Sequence, residues 1–329
     1  MRISTLSFFT SSLPSMQDNQ SQIARLSAQI STGQRMLSAK DDPLSAEKAL
    51  QLSGSIAVRT QYLANQQKAT LALNFETTVL TAMNTTLTNA RAVLQQTNGS
   101  DAQAVRDQNA IQVANAYLQV KDLANNRDTE GHYLFAGFNT QLAGNNPPFQ
   151  HTQVYPTIAA SGSTNYLGTP YVSLTAPQGV RSITIDAGRS VQVTDNLDAV
   201  FQSGSVAGVA NGSTTDVLQS LDQIAIDLHD TSLTTAQVDA KVKIAVDALT
   251  ATLDRIGGVR RRLASAALEV SDVQKTTTSL QLLEQNSLSD VSKVDQAAAI
   301  IELQTRQTAL TAAQQVYAQT SKLSLFSFL

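Results

Sequence analysis

The sequence predicts a mainly α fold: an elongated antiparallel helical coiled-coil rod formed by both ends of the chain, with a small β-rich inserted domain. Three observations carry that reading. Glycine and proline are concentrated, since positions 137–212 hold nine of the 15 Gly and five of the seven Pro of a 329-residue chain. Residues 55–98, 100–130, 213–256 and 259–329 contain neither, and long Ala/Leu/Gln-rich stretches without backbone breakers favour helix. Apolar residues also recur at sevens near both ends, the spacing of a coiled-coil seam.

The first helical stretch carries Phe9, Met16, Ile23, Ile30, Leu37 and Leu44, with Leu26 as a second seam position. Gly33 and the run Ser38–Pro43 interrupt it. Asp42 is placed to cap a new helix with Pro43 at its first position, where a missing N–H costs nothing. That helix runs toward Gln96 and stops at Asn98-Gly99. Ser100 with Gln103 fits a capping box, and a returning antiparallel helix over 101–127 places Val105, Ile111, Leu118 and Leu123 inward. In the insert, Ile183 and Ile185 alternate, as do Val191 and Val193, around Asp186–Arg189, which reads as a hairpin with a Gly-containing loop. Further strands are expected around 133–138 and 165–175.

Helix resumes near Thr214, with Val217, Leu221, Ile224 and Leu228 on one face. Thr234 and Gln237 form a second capping-box pair. A heptad then runs through Val242, Leu249, Ile256, Leu263 and Val270, with Gly257-Gly258 inside it marking a close helix crossing or a helix end. The last helix shows Leu303, Leu310 and Tyr317 at sevens, with Ile300, Ala313 and Thr320 near the same face. The domain order expected is 1–45 (assembly helix and loop), 46–136 (rod), 137–212 (β-rich insert), 213–290 (rod) and 291–329 (assembly helix).

Composition limits function. Lys plus Arg total 23 and Asp plus Glu 26, for a net charge of −3, which excludes a basic nucleic-acid footprint. Cysteine is absent, removing thiolate chemistry and disulfides. No apolar run approaches the roughly 18 residues of a membrane span, and polar residues break up the amino-terminal stretch, so neither a membrane segment nor a cleaved signal is expected. Only 15% of residues are charged, and a weakly charged surface is less costly to bury against another protein. Residues 1–30 carry three charges (Arg2, Asp18, Arg25) and residues 301–329 three more (Glu302, Arg306, Lys322). A helix with one seam gains its stability mainly by packing that seam. The first and last helices are therefore expected to pair, leaving faces for further copies.

Catalytic, cofactor and metal sites are not expected. His132, His151 and His229 lack ligand spacing, and no phosphate-cradling Gly motif is present. Asp41-Asp42 reads as a cap before Pro43 sooner than as a catalytic pair, and Arg260-Arg261-Arg262 as a solvated face. The Asn-x-Ser/Thr matches at Asn84, Asn98 and Asn211 are chance occurrences in a Ser/Thr/Asn-rich chain. The residues expected to meet neighbouring subunits are Ile23, Leu26, Ile30, Leu303, Leu310, Tyr317, Leu325 and Phe326. Gly131, Tyr133, Phe135 and Gly137 are assigned to a hinge between rod and insert: Gly131 ends a helix in the left-handed conformation, and Tyr133 and Phe135 share one face of a short strand.

Three segments carry a family resemblance. Ile30–Arg35 followed by Ser38–Pro43 resembles the amino-terminal signature of the flagellin superfamily. Gly131–Gly137, followed by Pro147-Pro148-Phe149, is similar to the entrance of the variable domain in the hook–filament junction members of that superfamily. Ala297–Leu310 through Ser324–Leu329 is similar to the same members. The resemblance implies a structural, non-enzymatic subunit of the bacterial flagellum, exported through the flagellar type III apparatus and extracellular. It implies a homo-oligomeric ring at the hook tip, with another hook-associated junction protein on one side and flagellin or the cap on the other. It also implies a cytoplasmic export chaperone on the carboxyl-terminal helix. The competing readings are a flagellin filament subunit, or an adhesin or enzyme activity in residues 140–212, where Tyr155, Tyr166 and Tyr171 could bind a ligand.

Overall fold

The computed structural model describes residues 2–128, 130–135, 149–150, 172–173, 179–195, 201–203 and 215–326, with the side chains of 2–9, 149–150, 172–173, 202–203, 215–216 and 321–326 outside the description. Helices dominate. In chain order they are α1 (Arg2–Thr32), α2 (Pro43–Gln95), α3 (Gln103–Ala124), α4 (Val217–His229), α5 (Thr235–Ser292) and α6 (Gln296–Phe326). Three two-stranded antiparallel pairs lie between α3 and α4: β1 (Phe149–Gln150) with β2 (Val172–Ser173), β3 (Ser182–Asp186) with β4 (Arg189–Gln192), and β5 (Gln202–Ser203) with β6 (Thr215–Asp216). The mainly α class with a small β component is as the sequence predicts. Most of the insert, including Tyr155, Tyr166 and Tyr171, lies outside the described residues.

The chain divides into two compact units, one of residues 1–61 with 277–329 and one of residues 62–276. The second holds the core. Along α2, Gln66, Ala69, Leu73, Glu76, Leu80, Met83, Leu87, Ala90 and Leu94 are all buried. Their alternating three- and four-residue spacing is a coiled-coil seam. Thr86 donates to Gln119 (3.5 Å) and Asn109 to Thr97 (2.9 Å), so α2 and α3 run antiparallel. The α5 heptad is buried as expected, from Val242 (7% exposed) to Leu249, Ile256, Leu263 and Val270 (all 1% or less). So is the α4 face of Val217, Leu221, Ile224 and Leu228.

Several local expectations need correction. α3 buries Arg106, Ala110, Val113, Tyr117, Val120 and Ala124, while Val105 is exposed and Ile111, Leu118 and Leu123 are half-buried. The seam is one residue away from the expected one because Arg106 takes an inward position through its long aliphatic stem. The Ser100–Gln103 capping box does not form. The N-cap of α3 is Ala102, without a side-chain cap bond, and Gln103 instead donates to Asp107 and to the carbonyls of Leu228 and His229. At α5 half the expected box is present, with the Thr234 N–H donating to Gln237 Oε1 at 2.9 Å. Gly257-Gly258 neither ends α5 nor marks a crossing: a Cβ at either would meet only the Arg261 side chain, at 3.7 Å or more. The close approach is at Gly99, where a Cβ would collide with the Thr235 carbonyl.

The first unit is built from α1, the start of α2, the end of α5 and α6. Gly33, at φ +69°, ends α1 after Thr32. Leu37 therefore falls in a loop and Leu44 at the exposed start of α2, so neither extends the α1 seam. Asp42 caps α2 as expected, accepting from the Ser45 N–H at 3.1 Å.

Candidate functional site

α1 and α6 pack together. Arg306 Nη1 donates to Asn19 Oδ1 at 3.3 Å and the Val294 N–H to the Gly33 carbonyl at 3.1 Å, so the two helices run antiparallel. The facing residues fall on one stripe per helix. On α1 they include Met16, Ile23, Leu26 and Ile30; on α6 they include Leu303, Arg306, Leu310, Ala313 and Tyr317. Each of these is only half-buried. A pair of helices has no third partner to close the seam, and Pro14 within α1 removes one backbone hydrogen bond. Outside the stripe, Leu13, Ile300, Ile301 (65%) and Val316 are exposed. Ile301, Asn19, Ala298, Thr305, Arg306 and Ala309 line an open groove beside it, together with Glu302. Among the described residues, Ala299 is the one buried apolar residue of this unit.

The pair is held at its inner end by two loops. The Arg35 N–H donates to the Ser292 carbonyl (2.8 Å), and its guanidinium to the Val291 carbonyl (3.1 Å), to Ser45 (2.8 Å) and to Asp42 (3.3 Å). Asp295 caps α6 through the Ala298 N–H. Asp41 accepts from the Leu37 and Ser38 N–H groups, which with Arg25 hold its carboxyl below the usual range; the Ser45 hydroxyl and N–H do the same for Asp42. These two carboxylates are therefore structural hydrogen-bond acceptors. Farther along, Glu284 of α5 is held ionised by Arg59 of α2 at 2.9 Å, with Ser55 at 2.8 Å.

The expected hinge is only partly described. Gly131 has φ +82°, but α3 ends at Ala124, so it stops no helix. Its N–H closes a turn onto the Asp128 carbonyl at 3.0 Å. Tyr133, Leu134 and Phe135 are all buried, so the segment is packed core and not a strand with one aromatic face. Arg127 lies 4.3 Å over the Tyr133 ring and also donates to its hydroxyl. Gly137 lies outside the described residues, as do the side chains of Leu325 and Phe326.

A second polar site was missed by sequence reasoning. The hairpin β3–β4 forms as expected, with Ile183 opposite Val191 and Gly188 at φ +73°. Asn65 and Gln66 of α2 donate to the carbonyls of Thr184 (2.9 Å) and Ile185 (2.8 Å). Just after β4, the Asp195 N–H donates to Glu76 of α2 at 3.0 Å, and the Asp195 carboxylate pairs with Arg262 of α5. Arg262 is thus half-buried and paired with a buried carboxylate, while Arg261 stays on the exposed face. The signal was two polar residues, Gln66 and Glu76, at seam positions of an otherwise apolar repeat. Among the described residues no group of His, Cys, Asp and Glu could hold a metal ion, and no helix is long and apolar enough to cross a membrane.

The geometry defines a class: helical proteins whose first and last helices pair and present an unfinished seam. Residues 3–140 match the family described as the bacterial flagellin N-terminal helical region. The chain is 27% identical to flagellar hook-associated protein 3 of Escherichia coli K12, over 99% of each. Among solved structures, a flagellar hook-associated protein from Vibrio parahaemolyticus superposes with a TM-score of 0.62 at 19% identity, covering 77% of this chain and all of that one. The flagellar junction protein FlgL of Legionella pneumophila does so with 0.56 at 14%, covering 74% and 99%. Residues 3–140 thus resemble the flagellin amino-terminal region, the likeness to the hook-associated protein extends over 99% of the chain, and the solved structures share the fold over about three quarters of it.

Proposed function

We propose that this chain is a structural, non-catalytic subunit of the bacterial flagellum that joins hook to filament and assembles through its terminal helices. The observation that carries the reading is the half-covered α1–α6 seam. The full-length similarity to a flagellar hook-associated protein supports the location. Ile23, Leu26, Ile30, Leu303, Leu310 and Tyr317 form the interface, together with Leu325 and Phe326 at the end of the chain. Fully covering one aliphatic side chain contributes about 1.5–3 kcal/mol. Leu13, Ile300, Ile301 and Val316 are 42–65% exposed, so covering the remainder of all four supplies about 3–6 kcal/mol, at the low end of the 4–15 kcal/mol or so that association costs. Covering these four alone thus holds a subunit marginally at best. The partners are further copies of the chain, another hook-associated junction protein, flagellin, and an export chaperone that shields α6 before type III export to the cell exterior.

The test is the double substitution Ile23→Ser and Leu303→Ser in the full chain. Residues 62–276 are expected to keep their helicity, and addition to purified hooks to be lost. Assembly at the unsubstituted level would overturn the reading.

A further inference from the structure

Glu76 is fully buried, and its Oε2 has no hydrogen-bond partner among the described residues. Its Oε1 accepts from the Asp195 N–H at 3.0 Å. The charged groups acting on it come from two elements: Asp195, at the end of the hairpin, and Arg262, on α5. The Arg262 guanidinium is already paired with the Asp195 carboxylate, and Gln192 Nε2 adds a further bond to that carboxylate at 2.8 Å. Two buried carboxyl groups therefore share one cation, Arg262, whose side chain is 35% exposed. If both ionised, an uncompensated negative charge would remain buried. We propose that Glu76, Asp195 and Arg262 form a proton-dependent latch that fastens the β3–β4 hairpin to α2 and α5.

The latch is tight while Glu76 is protonated. Burial, followed by the Asp195 charge, pushes the Glu76 carboxyl up to about 8, with Arg262 opposing. When the hairpin lifts, Glu76 meets water and its pKa returns to an ordinary carboxyl value near 4.5. The closed form thus holds a proton that the open form releases between those values. Opening becomes easier as pH rises from about 4.5 toward 8 and changes no further above that. The neutral bonds from Asn65 and Gln66 add to the closed form without a pH dependence of their own.

Amide exchange on the full chain, corrected for intrinsic rates, tests this at the Val193 N–H, which donates to the Arg181 carbonyl at 2.9 Å. The probability of opening is expected to rise about tenfold per pH unit between pH 5 and 7, while the helix amides of Leu80 and Leu249 do not share that slope. Glu76→Gln is expected to flatten the profile. Asp195→Asn frees Arg262 for Glu76, so the rise between pH 5 and 7 is expected to shrink about tenfold or more. That variant decides the matter alone if Glu76→Gln does not fold. A flat profile in the unsubstituted chain, or an undiminished slope in either variant, would overturn the latch.

Discussion

At Gly99 the backbone lies so close to the Thr235 carbonyl that no side chain fits, and the Gly99 N–H donates to Asp239 at 2.7 Å. Gly99→Ala must displace main chain, so a loss of about 1–3 kcal/mol is expected in urea unfolding. Gly257 differs. It lies within α5, where a Cβ would meet only the Arg261 side chain at an ordinary contact distance of 3.7 Å, and Gly257→Ala is expected to stabilise the chain by about 1 kcal/mol by the same measurement. The sequence marks both as glycines in or beside helices and cannot separate them, because the deciding neighbour, Thr235, is 136 positions from one of them. Arg35 was likewise legible only as part of a family signature. Its role comes from the carbonyls of Val291 and Ser292, which its own segment does not predict. Arg35→Ala is expected to cost about 1–2 kcal/mol of local stability, read as faster exchange at the Val294 amide.

Among the elements, those whose apolar repeat runs unbroken were readable. The face of α4 and the heptad of α5 are buried as their spacing implies, and the β3–β4 hairpin follows from two short alternations around a glycine turn. The α2 seam was hidden by Gln66 and Glu76, and the α3 seam by Arg106, since a polar residue at a seam position interrupts the pattern. The two α2 interruptions, Gln66 and Glu76, are where the hairpin and the residues after it attach. The elements also differ in their response to pH. Asp41, Asp42 and Glu284 have lowered pKa values, so the stability they contribute is present above their ordinary values near 3.8 and 4.5 and is lost as pH falls below about 4. Exchange at the Ser45 and Val294 amides is therefore expected to accelerate between pH 5 and 3, beyond the intrinsic change, opposite in direction to the hairpin.

Across the whole chain, apolar burial is divided unequally. Residues 62–276 hold a continuous core of leucine, valine and alanine, with Tyr117, Phe135 and Phe201 fully enclosed. Residues 1–61 with 277–329 hold stripes that are only half-covered, on helices with few charges. The pairing of the first and last helices was legible because both carry a seven-residue repeat and neither can bury it alone. On the proposed reading other chains complete the seam, so this sequence shows the need and not the contact. Segments with few buried contacts open at low cost. The most direct measurement is hydrogen exchange of the free subunit compared with the same subunit assembled on hooks. In the free subunit, about the first 40 and last 40 residues are expected to exchange fast and residues 50–125 and 236–285 slowly, with the ends becoming protected on assembly. Ends already as protected in the free subunit as in the assembly would contradict a seam completed by neighbours.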